Sequence, residues 1–332
     1  MENQKKYDVI ALGELLIDFT PAGTSAQGNP VLEQNPGGAP CNVLSMLARY
    51  GRSTGFIGKI GNDIHGRFLC RAVREAGIGC GGLVMSDEVH TTLAFVSMDE
   101  SGDRSFSFYR NPGADMALTE DEVNLDMIRC SRIFHFGTLS MTHEGVRKAT
   151  IRAAACAREN GCLVSFDPNL RPPLWADMEE ARKQMLYGVS LCHVLKITDE
   201  ELRFMTGIED EKQAVSHLQA VHGIPLILVT AGAFGSTAYW AKEALKAEAF
   251  LTDRTIDTTG AGDTFCGCCL NYLLDHPVET LDREGVRVML TTASAAASIV
   301  TTRKGALRSM PDPEEIEAVA GTSHAMLGRN VL

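Results

Sequence analysis

The chain has 332 residues, 45% of them hydrophobic and 22% charged, which corresponds to about two domain units or to one large α/β domain with an insertion, able to bury a core without staples. Its formal net charge of −11 argues against nucleic acid or an anionic membrane as partner, while leaving room for a small anion held by a local cation or by backbone amides. No apolar run approaches the roughly 20 residues that span a bilayer, and the apolar stretch 9–13 is cut short by Glu14 and Asp18, so neither a membrane segment nor a secretory signal is expected, and a soluble, cytoplasmic protein is.

Residues 7–12 (YDVIAL) are a short apolar run ending at Gly13, the pattern of a buried parallel strand. Helices are predicted over 42–50 and 64–76, around a second strand near 54–60. The stretches 91–98 (TTLAFVSM) and 104–109 (RSFSFY) alternate and carry several β-branched and aromatic residues. With Gly102 in the five residues 99–103 between them, they predict a hairpin. Segments 15–20 and 30–34 are candidates for further strands of the same sheet. That sheet is either a lid over a site or an edge decoration, and pattern alone leaves both open. From about 120 onward strands and helices alternate. A strand at 133–136 precedes a helix over 144–160 that stops at Gly161, and a strand at 162–166 is closed by Asp167-Pro168. A helix over 178–189, a strand at 193–197 and helices over 199–205 and 211–222 lead to the most apolar strand, 225–230. This order implies a mostly parallel sheet with helices on both faces. The ten cysteines contain no Cys-x-x-Cys, and most lie in apolar, Ala-rich surroundings, so reduced core thiols are expected.

Asp257-Thr-Thr-Gly260-Ala261-Gly262-Asp263-Thr-Phe265 runs straight into a helical pattern at 266–274. A helix that opens on Gly-Ala-Gly presents free amide N–H groups, backed by the positive end of its dipole. Glycine also lets an anionic oxygen come close to the backbone. Asp263 would sit in the first turn beside that nest. A carboxylate there repels a bound phosphate, so its use must be a different one, and taking the proton of an attacking hydroxyl is such a use. An anion hole beside a base suits phosphoryl transfer to an alcohol. A Gly-rich turn capped by Asp is the structural alternative. No Gly-x-x-x-x-Gly-Lys-[Ser/Thr] loop is present, and no Gly-x-Gly-x-x-Gly follows the first strand, which counts against a Walker-type NTPase and a dinucleotide enzyme.

These residues resemble the C-terminal signature of the ribokinase-like (PfkB) carbohydrate kinases. The N-terminal signature is matched by Pro36-Gly37-Gly38-Ala39-Pro40-Cys41-Asn42, then Gly55-Phe-Ile-Gly58-Lys-Ile-Gly61-Asn-Asp63 and Gly66. The resemblance runs from Gly13 to about Pro311. It implies a three-layer α/β/α fold with a mostly parallel central sheet, one domain over 1–332, and a small β-sheet lid inserted at about 14–35 and 90–112. By resemblance Asp263 is the catalytic base, and Gly260, Ala261 and Gly262 form the anion hole. Asp18, Gly38 and Asn42 match sugar-binding positions, where a carboxylate accepts two hydroxyl protons at once. Taken alone, Asp18 reads as a strand-end residue and Asn42 as a helix N-terminal one. Lys196, Thr198, Thr230, Gly232, Gly235 and Ser294 match nucleotide positions, although 229–235 alone also reads as strand–turn–strand. Thr198 and Ser294 stand where many relatives carry Asn. Glu201 would help organise hydrated Mg²⁺. Asp257 and Thr259 match a K⁺ site in part of the family, while the turn at 302–305 is equally explained by helix termination.

Two segments resemble fructokinases: Phe108-Tyr109-Arg110-Asn111-Pro112-Gly113-Ala114-Asp115-Met116 and Asp167-Pro168-Asn169-Leu170-Arg171-Pro-Pro-Leu174-Trp175. Arg110 and Arg171 are expected as cations at the site mouth, since Arg suits bidentate contacts to phosphate; alone, each reads as a solvated surface residue. The resemblance thus implies ATP-dependent phosphorylation of D-fructose to fructose 6-phosphate, with Mg²⁺ and, in part of the family, K⁺. The alternatives are a 2-keto-3-deoxygluconate kinase or another PfkB sugar kinase, and a catalytically idle sugar-binding relative. A homodimer through the lid is also expected, because the hairpin's edges and outer face need covering.

Overall fold

The computed structural model describes residues 5–98 and 104–327; the expected hairpin turn 99–103 lies outside the described residues. Strand β1 (Tyr7–Leu12) leads into the antiparallel pair β2 (Leu16–Thr24) and β3 (Pro30–Gly37). Helix α1 (Ala39–Arg49) carries Pro40 in its first turn, where a missing N–H leaves no bond unmade. Strand β4 (Thr54–Gly61) precedes α2 (Ile64–Glu75), whose N-cap Asp63 accepts from the Gly66 N–H. Strand β5 (Gly79–Ser86) is followed by β6 (Leu93–Met98) and β7 (Arg104–Tyr109). Then come α3 (Leu125–Arg129), β8 (Ser131–Gly137), α4 (Glu144–Glu159), β9 (Leu163–Asp167), α5 (Met178–Leu191) and β10 (Val194–Thr198). The chain continues through α6 (Asp199–Thr206), α7 (Glu211–His222), β11 (Leu226–Thr230), β12 (Ser236–Trp240) and β13 (Glu243–Ala247). Helices α8 (Ala261–Asp275), α9 (Arg283–Val300) and α10 (Pro313–Leu327) complete it.

Nine strands form one sheet in the order β13-β12-β11-β10-β9-β8-β1-β4-β5. Every pairing from β11 to β5 is parallel, and β12 and β13 close one edge as an antiparallel hairpin. Successive residues of a strand face opposite sides. Accordingly Val9 and Ala11 enter one core with Leu44, Phe56, Leu270 and Leu290, while Ile10 and Leu12 enter another with Phe134, Phe136, Phe166 and Leu218. Burial on both faces explains why these strands read as unbroken apolar runs rather than alternations. The result is the expected three-layer α/β/α arrangement.

The remaining strands form a separate sheet, β3-β2-β6-β7. The expected strands near 15–20 and 30–34 do join the 91–109 hairpin: β2 pairs parallel with β6, setting Asp18 opposite Ala94. All ten cysteines are free thiols and seven are buried. Among the described residues no helix is long and apolar enough to cross a membrane.

Candidate active site

The C-terminal ends of β9, β10 and β11 meet the start of α8, the end of a parallel sheet where crevices form. Asp167 closes β9 and Lys196 lies in β10. Their charged atoms are 3.0 Å apart, and both side chains are buried. Burial alone would discharge the ammonium, but Asp167, Glu201 and Asp263 outweigh it and push the Lys196 pKa up. Lys196 therefore remains a cation. It faces the opening of α8, where a Cβ on Gly262 would come within 3.0 Å of Nζ. The N-cap of α8, Gly260, has φ 82°, and a Cβ there would lie 2.7 Å from the Cβ of Ala306. Both conformation and space thus call for glycine. The Ala261 N–H donates to Thr258 O at 3.3 Å. The next amides belong to the first turn, which has no intrahelical acceptors, so they and the Lys196 ammonium form one electropositive corner.

Asp263 lies in that first turn, 8% exposed. The Asn42 Nδ2 donates to its Oδ2 at 2.7 Å. Burial pushes the carboxyl up to about 6; Asp167 adds to the rise, while Asn42, Lys196 and Arg171 oppose it. The oxygen of the same Asn42 amide is buried and has no partner among the described residues.

Asn42 belongs to α1, whose N-cap Gly38 has φ 130°, and a Cβ there would overlap the backbone of Glu14. The Glu14 Oε1 accepts the Ala39 N–H at 2.9 Å, holding the helix start against the end of β1. Asp18, in β2, is pushed up to about 7 by burial; Arg171 opposes the shift and Asp257 adds to it. Residues 18, 42, 171 and 263, distant in sequence, thus converge on one place.

Beside them is a cavity of about 460 Å³. All six residues expected at nucleotide positions line it: Lys196, Thr198, Thr230, Gly232, Gly235 and Ser294. Ala261 and Gly262 reach the same space, and Phe250 and Ala297 give it apolar walls. Gly235 has φ 90°, and a Cβ there would overlap the Ala247 carbonyl, so the turn out of β11 depends on it.

Thr198 and Glu201 also have a local structural role. Thr198 is the N-cap of α6: its Oγ1 accepts the Glu201 N–H at 3.1 Å, and Glu201 Oε2 accepts the Thr198 N–H at 2.9 Å. This is a capping box, whose signal in the sequence is the spacing Thr-x-x-Glu. The other Glu201 oxygen accepts the Leu170 N–H at 2.7 Å. Asp257 accepts the Thr259 N–H at 2.8 Å and the Gly305 N–H at 3.4 Å. It thereby ties the approach to α8 to the turn after α9.

Arg110 is the exception. It does not stand as a free cation at the site mouth; it is 6% exposed. Its Nε donates to Asp115 Oδ2 at 2.8 Å, Nη1 to Thr142 Oγ1 at 2.9 Å and Nη2 to Leu139 O at 2.9 Å. The reason is its place at the end of β7, where the chain re-enters the body and a guanidinium meets body acceptors. Arg171 remains exposed. Asp167 and Glu14 are site residues that sequence reasoning does not single out. The available signal for Asp167 is a carboxylate ending an apolar strand before Pro168; a lone Glu14 after Gly13 gives none.

The family model described as pfkB family carbohydrate kinase matches residues 6–313. The chain is 39% identical over 321 residues to a probable fructokinase-4 of Arabidopsis thaliana, covering 96% of this chain and 98% of that one. It superposes with a TM-score of 0.88 on a fructokinase with bound ATP from Xylella fastidiosa (31% identity, 95% and 99% of the two chains). The TM-score is 0.84 for a fructokinase double mutant from Vibrio cholerae O395 in a fructose-, ADP- and potassium-ion-bound form (29% identity, 96% and 99%). Matched along nearly all its length in sequence and fold, the chain belongs to the pfkB family of carbohydrate kinases.

Proposed function

We propose that this kinase is an ATP-dependent fructokinase that phosphorylates the C6 hydroxyl of D-fructose. The observation that carries this reading is the buried Asp263–Asn42 pair at the opening of α8, beside a cavity lined by the six nucleotide-position residues. The relatives named fructokinases, including one holding fructose, ADP and potassium, supply the choice of sugar. The sugar binds between α1, β2 and Asp263. Asp18 accepts sugar hydroxyls, and the partnerless Asn42 oxygen accepts another. Asp263 takes the O6 proton as O6 attacks the γ-phosphorus of ATP, the bond to the β-phosphate oxygen breaks, and ADP leaves. Charge on the transferring oxygens is stabilised by the first-turn amides of α8 and by the Lys196 ammonium. The second sheet acts as a lid that excludes water.

Glu201 fits a water-mediated Mg²⁺, because each of its oxygens accepts one N–H and keeps a lone pair. Bound there, the metal would neutralise phosphate charge. Asp257 and Thr259 are the proposed K⁺-site residues, and a homodimer through the lid's outer face, where Tyr109 and Leu32 are exposed, belongs to the same proposal. ADP release measured in parallel with fructose, ribose, 2-keto-3-deoxygluconate and adenosine, each with Mg²⁺ and ATP, tests the reading. Fructose should give the highest kcat/KM. A preference for 2-keto-3-deoxygluconate would replace the substrate, and sugar binding without ADP release would indicate the idle relative.

A further inference from the structure

We propose that the Asp115 carboxylate is the hinge knot of the second sheet, and that Thr92 and Arg110 are positioning residues that set sugar affinity through it. Thr92 immediately precedes β6 and Arg110 immediately follows β7, so they mark the two points where the hairpin crosses into the body. Both are buried, at 1% and 6% exposure, and both bind one carboxylate that is itself 4% exposed. The Thr92 hydroxyl donates to Asp115 Oδ1 and the Arg110 Nε to Oδ2 at 2.8 Å. Arg110 continues into the body, donating to Leu139 O and Thr142 Oγ1, each at 2.9 Å. A third crossing is tied to the same spot, because the Ile17 N–H of β2 donates to Thr92 O at 3.1 Å. A Cβ on Gly113 would overlap the Thr92 hydroxyl, which shows how tightly the loop wraps the knot.

The knot fixes the sheet relative to the proposed sugar site, since Asp18 follows Ile17 directly. It also reaches α1: Glu14, which holds the Ala39 N–H, feels the charges of both Asp115 and Arg110. The Arg110 guanidinium spends its hydrogen bonds on Asp115, Leu139 and Thr142, whereas Arg171 acts on both Asp18 and Asp263. Arg110 therefore works through where it holds the sheet rather than by touching the reacting groups. A buried ion pair is strongly felt when one partner is removed, so its effect on geometry is concentrated at a few atoms.

The hinge role rests on reading the second sheet as a lid. The test compares the full-length wild type with Thr92→Val and Asp115→Asn, using D-fructose, ATP and Mg²⁺. Thr92→Val keeps shape and removes one hydrogen bond, so it decides the matter if Asp115→Asn fails to fold. Both variants should raise the fructose KM about tenfold, the scale of one lost buried hydrogen bond, and leave the ATP KM within about twofold. Both should also raise the share of ATP hydrolysed without sugar phosphorylation. Hydrogen exchange gives a second readout: fructose should slow amide exchange in β2 and β6 of the wild type, and less so in the variants. Normal fructose KM and undiminished protection in Thr92→Val would overturn the hinge alone. Absence of fructose-dependent protection in the wild type would overturn the lid reading and the hinge with it.

Discussion

Asp263 is poised by opposing influences: burial lifts its pKa to about 6, and the Asn42 hydrogen bond holds it from rising further. The proposed base works deprotonated, so kcat/KM for fructose should fall below about pH 6, and Asn42→Ala should move that limb to higher pH. Asp263→Asn should fold with an unchanged melting temperature and lose about 10²–10⁴-fold in kcat, the usual share of a general base. Near-wild-type turnover would remove the assignment. Glu14 behaves differently because it makes stability, rather than turnover, depend on pH. Burial raises it from 4.5 to about 7, so the folded chain keeps a proton that the unfolded chain has already released. Its contribution to stability is full below about pH 4.5 and is lost as pH rises through 7. Glu14→Gln preserves an acceptor for the Ala39 N–H. The variant should melt like wild type near pH 5 and be more stable near pH 8, by about 1–3 kcal/mol in urea titration. Equal stability at both values would show that Glu14 is solvated.

At the scale of elements, helix starts do most of the placing. Gly260→Ala should lower kcat by at least about tenfold, because alanine there costs on the order of 1 kcal/mol in conformation and must also displace Ala306. Unaltered kinetics would mean that the α8 opening tolerates a side chain. Thr198→Ala should cost about 1 kcal/mol of stability through the lost cap, read by denaturant unfolding. The parallel strands are legible in the sequence because both-face burial leaves an unmistakable apolar run, as in 225–230. Strand β5 is not, since GCGGLVMS is too rich in glycine to carry a β pattern. The β12–β13 hairpin is only half legible: the strand–turn–strand reading of 229–235 points to β12, but the turn into β13 uses Ala241 and Lys242 at positive φ, with no Gly or Asn to signal it. Among site residues, Asp263 and the cavity-lining positions can be read from motif spacing. The role of Arg110 cannot, because only the folded chain puts Leu139 and Thr142 within its reach.

For the whole molecule, the two sheets differ in how they are supported. The nine-stranded sheet has a packed core on each face, whereas the four-stranded one reaches the body through a few residues, with Ile17, Phe19 and Leu93 on one of those cores and Phe19 and Gln34 against His65 of α2. Without ligand, amides of β2 and β6 should therefore exchange by local opening well before those of β1, β8 and β9; uniform exchange would deny that independence. The order of the chain matters as well. All residues that line the 460 Å³ cavity lie between 196 and 301, while Asp18, Gly38 and Asn42 come from the first fifty. On the proposed reading, the cavity that would take the donor and the residues 18, 38 and 42 that would hold the acceptor are written in different stretches of polypeptide. A chimera that borrows only the two β excursions of a relative with another taste in sugars should inherit that taste and keep its original phosphate donor, so new acceptors are reachable without rebuilding the engine that spends the nucleotide.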